Sequence, residues 1–352
     1  MIREISINRI KSIKELEMQC TNLNLLVGTN SSGKSTIIQS ILLVSENLVE
    51  PCGINGRLLS LGEFEEIRCW NAKDKRLWVD IKTDNGEIEW EMYEQGDGMY
   101  MNIRPKEVAP GLIGKELNYK DKNLAYLSCN RVGAKDVYEK NLIPESKVGI
   151  NGEYALDYLR RNKDKQLNRE LCKFDDSFTL GGQVNGWLDY IIGASIRTED
   201  ITGTDIMKAT YRIANQKETR PKNVGSGVSY LISILVLCLS SQEGEIMLIE
   251  NPEIHLHPMA QSRVCEFLYF IANHNRQLFI ETHSDHLFNR IRVGAATNEM
   301  NMNKIQVNFI SLDEEYCTQN TIVEFGKRGR ILNPQKDLFD QFDIDLNKML
   351  GM

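Results

Sequence analysis

An α/β fold built on a mostly parallel sheet follows from three features of this 352-residue sequence. The apolar stretch 23–27 runs into Gly28-Thr29-Asn30-Ser31-Ser32-Gly33-Lys34-Ser35-Thr36, a G-x-x-x-x-G-K-S loop, after which Ile37, Ile38, Ile41, Leu42 and Leu48 recur at helical spacing. A second apolar strand, 246–249, ends in the acids Glu250 and Glu253. From Asn223 onward helices and strands alternate, which implies parallel strands with ligands at their carboxyl edge.

In chain order, residues 2–7 alternate as a strand, 8–14 read as a basic turn, and 23–27 feed the loop. Residues 35–49 form an amphipathic helix. Alternation over 77–93 around Asp84-Asn85-Gly86 predicts a β-hairpin with an Asn-Gly turn. Residues 96–124 show no strong pattern, 153–174 read as a charged helix, and 185–192 as a short one; no heptads persist long enough for a coiled-coil arm. After a Gly-rich turn come an apolar helix to Leu239, the strand 246–249, a helix over 258–273 and a strand over 278–281. Strands over 305–312 and 321–325, a turn at 326–329 and an acidic amphipathic helix with Leu338, Phe339, Phe342, Leu346 and Leu350 close the chain. The sequence thus reads as one head over 1–352: a loop-bearing half (1–76), an antiparallel lobe with a helical insertion (77–220), and a second half (221–352).

Composition narrows the class. With 41% hydrophobic and 26% charged residues the chain has the make-up of a soluble globular protein with a sizeable core. The longest apolar run, 231–239, is too short to span a bilayer, and the charged start is no signal peptide, so a cytoplasmic protein without a membrane anchor is expected. Eight cysteines without a C-x-x-C pair argue against a zinc ribbon or a disulfide framework. A net charge of −7 gives no global attraction to nucleic acid, although a local basic face remains compatible with it.

The candidate site starts at the loop. Backbone N–H groups over Gly28, Asn30, Ser31, Ser32, Gly33 and Thr36, with the N-terminus of the following helix, make an anion site; Lys34 adds a charge for phosphates and Ser35 a hydroxyl for Mg²⁺. At the end of the second strand Glu250 is placed to hold the same metal. Four of the five histidines fall in His255-Leu256-His257-Pro258 and His283-Ser284-Asp285-His286. The H-x-H spacing permits a metal site with the nearby acids; a strand followed by His283 also suits a γ-phosphate, and that arrangement needs no second cofactor. Gly225, Ser226, Gly227 and Ser229 open the apolar helix as a second backbone nest, useful to a nucleotide held by another subunit.

Together these residues resemble the ABC-type ATPase heads of the RecF, structural-maintenance-of-chromosomes (SMC) and overcoming-lysogenisation-defect group, and more closely short bacterial "AAA family" ATPases whose Walker B reads Ile-Glu-Asn-Pro-Glu-x-His-Leu-His-Pro. The resemblance implies that residues 28–36 are Walker A, 225–229 the signature motif, Glu250 the Walker B acid, 255–258 the D-loop and His283 the switch histidine. It implies ATP and Mg²⁺ as cofactors and a head-to-tail homodimer, or a higher homo-oligomer. Asn251 stands where such heads usually place the glutamate base; an amide cannot take the proton of the attacking water, so turnover is expected to be slow unless Glu253 substitutes, general-base catalysis being worth about 10²–10⁴-fold. Position 225 is glycine where serine is common, and no Q-loop glutamine stands in 61–67.

The sequence shows no output chemistry after the ATPase core. The expectation is therefore an ATP-binding, slowly hydrolysing regulator or sensor that controls a separate effector. The resemblance points to a nuclease partner in anti-phage defence modules of the Septu, PARIS or retron-associated kind. An ATP-gated scaffold with little turnover and a RecF-like DNA-repair ATPase are the alternatives.

Overall fold

The computed structural model describes residues 1–107, 111–120, 123–142, 147–214 and 217–351. The chain opens with β1 (Ile2–Ile10), β2 (Ile13–Gln19), β3 (Leu23–Gly28), α1 (Lys34–Val49) and the single turn α2 (Phe64–Ile67). The lobe follows as β4 (Arg76–Thr83), β5 (Gly86–Gln95), β6 (Gly98–Glu107) and α3 (Leu112–Glu116), then β7 (Leu124–Leu127) and β8 (Tyr138–Glu139). Next come α4 (Ala155–Asn162), α5 (Leu180–Ile192), β9 (Ala194–Asp200), β10 (Ile206–Ile213) and α6 (Gly227–Leu239). The last part holds β11 (Ile246–Glu250), α7 (Pro258–Asn273), β12 (Gln277–Glu281), α8 (Asp285–Thr297), β13 (Ile305–Leu312), β14 (Thr318–Ile322) and α9 (Gln341–Leu350).

A six-stranded sheet of order β14-β13-β3-β12-β11-β7 forms the centre, parallel throughout except for β14. Its strands are apolar on both faces because both are covered. In β3, Leu23, Leu25 and Val27 enter one core while Leu26 enters the other; in β11, Met247 and Ile249 part from Ile246 and Leu248 in the same way. The first core is filled by α4 to α8, with α6 buried almost all round, which is why its sequence lacks a polar face. Ile37, Ile38, Ile41 and Leu42 of α1 fill the second core against the antiparallel sheet β2-β1-β4-β5-β6. Each such buried aliphatic side chain contributes on the order of 1.5–3 kcal/mol of transfer energy. Gln277 joins the two sheets: its amide accepts from Ile2 N (2.7 Å) and donates to Ile2 O (2.7 Å) and Thr21 O (2.8 Å).

The expected parallel sheet, antiparallel lobe, loop and flanking helix are all present, and the Asn85-Gly86 turn joins β4 to β5. Several elements differ. The turn expected over 8–14 is shorter, with Arg9 and Lys11 at φ 63° and 53°, and β2 leaves it to pair with β1. The helix expected over 153–174 stops at Asn162; beyond it the chain doubles back, Leu167 N donating to Phe178 O and Leu180 N to Lys165 O. The helix expected over 185–192 starts five residues earlier, where the Thr179 side chain accepts from Gly182 N. A further small sheet, β8-β10-β9, lies in the insertion, and the last strand pairs over 318–322 instead of 321–325. Leu338 and Phe339 pack inward, Phe339 at 5.2 Å from the Phe288 ring, whereas Phe342 on α9 is 73% exposed.

Candidate functional site

The loop between β3 and α1 is shaped by its glycines. Gly28 has φ 143°, and a Cβ there would lie 1.9 Å from Ile310 O of β13; at Gly33 (φ 107°) it would lie 2.6 Å from Thr318 Oγ1. Thr318 Oγ1 donates to Ser32 O (2.9 Å) and Ser32 Oγ to Thr29 O (2.8 Å), so β14 braces the loop from outside. Lys34 is buried, its ammonium donating to Gly28 O (3.0 Å) and Thr29 O (2.6 Å); burial holds its pKa below the usual lysine range, and the charge of Glu281 opposes that shift. The first turn of α1 has no side-chain cap and no acid, leaving its N–H groups and positive end for an anion. Asn30, Ser31, Ser32, Gly33, Lys34, Ser35 and Thr36 line a cavity of about 580 Å³ with Lys11, Trp70, Glu281 and His283.

Two carboxylates end neighbouring parallel strands in register, Glu250 on β11 and Glu281 on β12. They have different partners. Glu250 accepts from Tyr126 Oη (2.8 Å) and Cys129 N (3.0 Å), both on the β7 side. Glu281 accepts from Ser35 Oγ (2.8 Å), and its Oε2 is buried with no hydrogen-bond partner among the described residues. Burial pushes the Glu281 carboxyl above the usual range, the Ser35 hydrogen bond opposes this, and the charge of Glu250 adds to it.

Asn251 follows in left-handed backbone, φ 43°, with its N–H donating to Glu281 O (2.7 Å) and its Oδ1 buried and unpartnered among the described residues. Glu253 Oε1 accepts from His283 N (2.8 Å), while its Oε2 is also buried without a partner; burial raises this carboxyl too. Partial burial, and then the charge of Lys34, lowers the His283 imidazole pKa. Asn251, Glu253 and His283 thus gather at the carboxyl ends of β11 and β12; of the three, His283 lines the loop's cavity with Lys34, and Asn251 and Glu253 do not. The other histidines disperse: His255 stacks on Tyr230 at 5.1 Å, and the His257 ring accepts from Met259 N (3.4 Å) to cap α7.

Gly225, Ser226, Gly227 and Ser229 do not share the loop's cavity. Gly225 and Gly227 line a separate one with His255 and His257. A Cβ on Gly225 would meet nothing within 4 Å, whereas on Gly227 it would lie 2.5 Å from His255 O. Ser229 turns inward to Tyr211 Oη at 3.0 Å.

Two further residues belong to the site. Glu281 had a readable signal, an acid ending an apolar strand just as Glu250 does. Arg131 had none, since no motif surrounds it. Its buried guanidinium donates to Ser128 O (3.2 Å), Glu250 O (2.6 Å) and Asn251 O, and lies 5.9 Å from the Tyr230 ring. Burial lowers its pKa to about 10.

The family model described as "AAA ATPase domain" matches residues 155–288. No curated protein matches the chain. Among solved structures, an SMC head bound to the C-terminal winged-helix domain of ScpA aligns at 13% identity and TM-score 0.60, over 92% of this chain and 97% of that one. An SMC head domain with an extended coiled coil, bound to the C-terminal domain of ScpA derived from Pyrococcus furiosus, aligns at 13% identity and TM-score 0.58, over the whole of both chains. With the strand order, the braced loop and the paired acid-ended strands in place, the chain has the fold of an SMC head domain.

Proposed function

We propose that the protein binds ATP with Mg²⁺ in the cavity lined by residues 30–36, pairs head-to-tail with a second copy on doing so, and uses that closure to control a separate effector, a nuclease being the reading the sequence resemblance favours. One observation carries this reading. Residues 30–36 of the loop line one cavity of the chain, and Gly225 and Gly227 line another, which is the arrangement two copies need to enclose two nucleotides between them. The cation fits the residues present: Ser35 offers a hydroxyl, and the buried Glu281 Oε2, without a partner among the described residues, supplies negative charge beside it in the same cavity. Mg²⁺, when bound, neutralises phosphate charge as the γ-phosphoryl group leaves.

Lys34 and the α1 N-terminus would hold the phosphates, and His283, which lines the same cavity, would supply an imidazole toward them. Asn251 occupies the general-base position, which favours slow turnover and, at its limit, a nucleotide-gated scaffold; Glu253 is the acid at hand to accept the water's proton. The net charge of −7 gives the DNA-repair alternative no support. Among the described residues no helix is long and apolar enough to cross a membrane, and a cytoplasmic site of action is part of this proposal. Light scattering with and without a slowly hydrolysed ATP analogue tests it: the wild type doubles in mass, and Lys34→Ala does not. A wild type whose mass ignores the analogue would refute the paired-head reading.

A further inference from the structure

Resting on the proposal that this cavity takes a nucleotide with a divalent cation, we infer that Glu281, not Glu250, is the carboxylate through which the protein meets that cation. Three observations lead there. Ser35, the hydroxyl a P-loop offers to the metal, is bonded to Glu281 Oε1 at 2.8 Å. Glu281 is 6% exposed, and its second oxygen is buried with no partner among the described residues, an acceptor whose burial is costly unless a cation or a cation-bound water meets it. Strand order places β12 beside β3, the strand that ends in the loop, and β11 one strand further away.

Glu250 is held differently. Both of its oxygens are used, one by the Tyr126 hydroxyl and one by the Cys129 N–H, so the carboxylate fastens the segment leaving β7 to the end of β11. Turning it toward Ser35 would strip a half-buried hydroxyl and a half-buried N–H of their acceptors. Glu281 needs no such rearrangement: it already touches the serine, and Mg²⁺ prefers one or two carboxylates completed by phosphate oxygens and water over a cage of protein ligands.

The experiment measures cation binding directly. Mn²⁺ affinity of the nucleotide-loaded protein is read by electron paramagnetic resonance, and binding of a fluorescent ATP analogue is measured in EDTA and in Mg²⁺, for wild type, Glu281→Gln, Glu281→Asp and Glu250→Gln. The expected result is a loss of about 10- to 100-fold in Mn²⁺ affinity for Glu281→Gln, a smaller loss for Glu281→Asp, and a change within a few-fold for Glu250→Gln. Binding of the analogue in EDTA should persist in all four proteins, which shows that each is folded. The inference is overturned if Glu250→Gln loses the cation while Glu281→Gln keeps it, if both lose it equally, or if neither loses it. A wild type that binds no analogue under either condition overturns the nucleotide-site proposal itself, and that outcome is distinct from the other three.

Discussion

The backbone N–H of His283 donates to the carboxylate of Glu253 at 2.8 Å, joining the exit of β12 to the loop after β11. That bond fixes one oxygen of Glu253 and leaves the other buried without a partner among the described residues. Burial raises the carboxyl above its ordinary value of 4.5, so the folded chain keeps this proton to a higher pH than the unfolded chain does. The sign follows: the group costs stability as pH rises from about 4.5 through the folded pKa. Glu253→Gln removes that cost. The variant should gain stability relative to wild type between about pH 5 and pH 8, measured by urea denaturation, and should lose whatever ATP hydrolysis the wild type shows. Equal shifts at both pH values, with turnover unchanged, would exclude Glu253 from the chemistry.

Lys34→Ala should weaken ATP binding by about 10- to 100-fold or more, the worth of a charge-assisted contact. The Lys34 ammonium also ties Gly28 O and Thr29 O, so a modest fall in melting temperature should accompany the loss. Equilibrium titration with labelled ATP checks the first and calorimetry the second.

Gly225→Arg should leave ATP binding to the single chain intact and block ATP-induced pairing, because its side chain enters open space beside the nest. Gly227→Ala tests something else. Its Cβ meets His255 O at 2.5 Å, so it should displace the loop after β11 and lower stability before pairing is considered. Light scattering and thermal denaturation of both variants separate the two effects.

Removing Arg131 strips buried donors from the carbonyls of Ser128, Glu250 and Asn251. Arg131→Met should therefore destabilise the chain by on the order of 3 kcal/mol. Arg131→Lys should recover only part of this, since an ammonium cannot fork across carbonyls as a guanidinium does. Chemical denaturation of the three proteins gives the comparison.

Trp70 is 63% exposed at the edge of the loop's cavity, while Trp78, Trp90 and Trp187 lie deeper. ATP binding should change the intrinsic fluorescence, and Trp70→Phe should remove most of that change. A signal that survives the substitution would place the nucleotide away from this indole.

The parts of the fold legible in the sequence were those written by local rules. Glycines whose Cβ positions are forbidden marked the loop, and strands apolar on both faces marked the centre of the sheet. The lost strands lie on solvated surfaces, β2 and β6 at the edges of their sheet. The exposed face of β2 is charged, with Lys14, Glu15 and Glu17 outward, and β9 and β10 carry Arg197, Glu199, Lys208 and Arg212 on a solvated surface. β6 exposes Met99 and Tyr100 while only Met101 and Ile103 pack on the second core, which blurs its alternation. α8 offered a cap, Ser284 accepting from Leu287 N, that the neighbouring histidines obscured. The site divides in the same way: Lys34 and Ser35 are read from spacing, whereas the differing partners of Glu250 and Glu281 arise only when β7 arrives beside β11, and Arg131 comes from a segment without pattern.

The stack of Arg131, Tyr230 and His255 joins three stretches far apart in the chain: the segment after β7, the first turn of α6 and the loop after β11. These stretches are not interchangeable modules. A chimera that imports the 225–239 helix from a relative without its own partners for the guanidinium and the imidazole would leave Arg131 facing the wrong ring. Exchange between relatives, in the laboratory or by recombination, has to move all three stretches together.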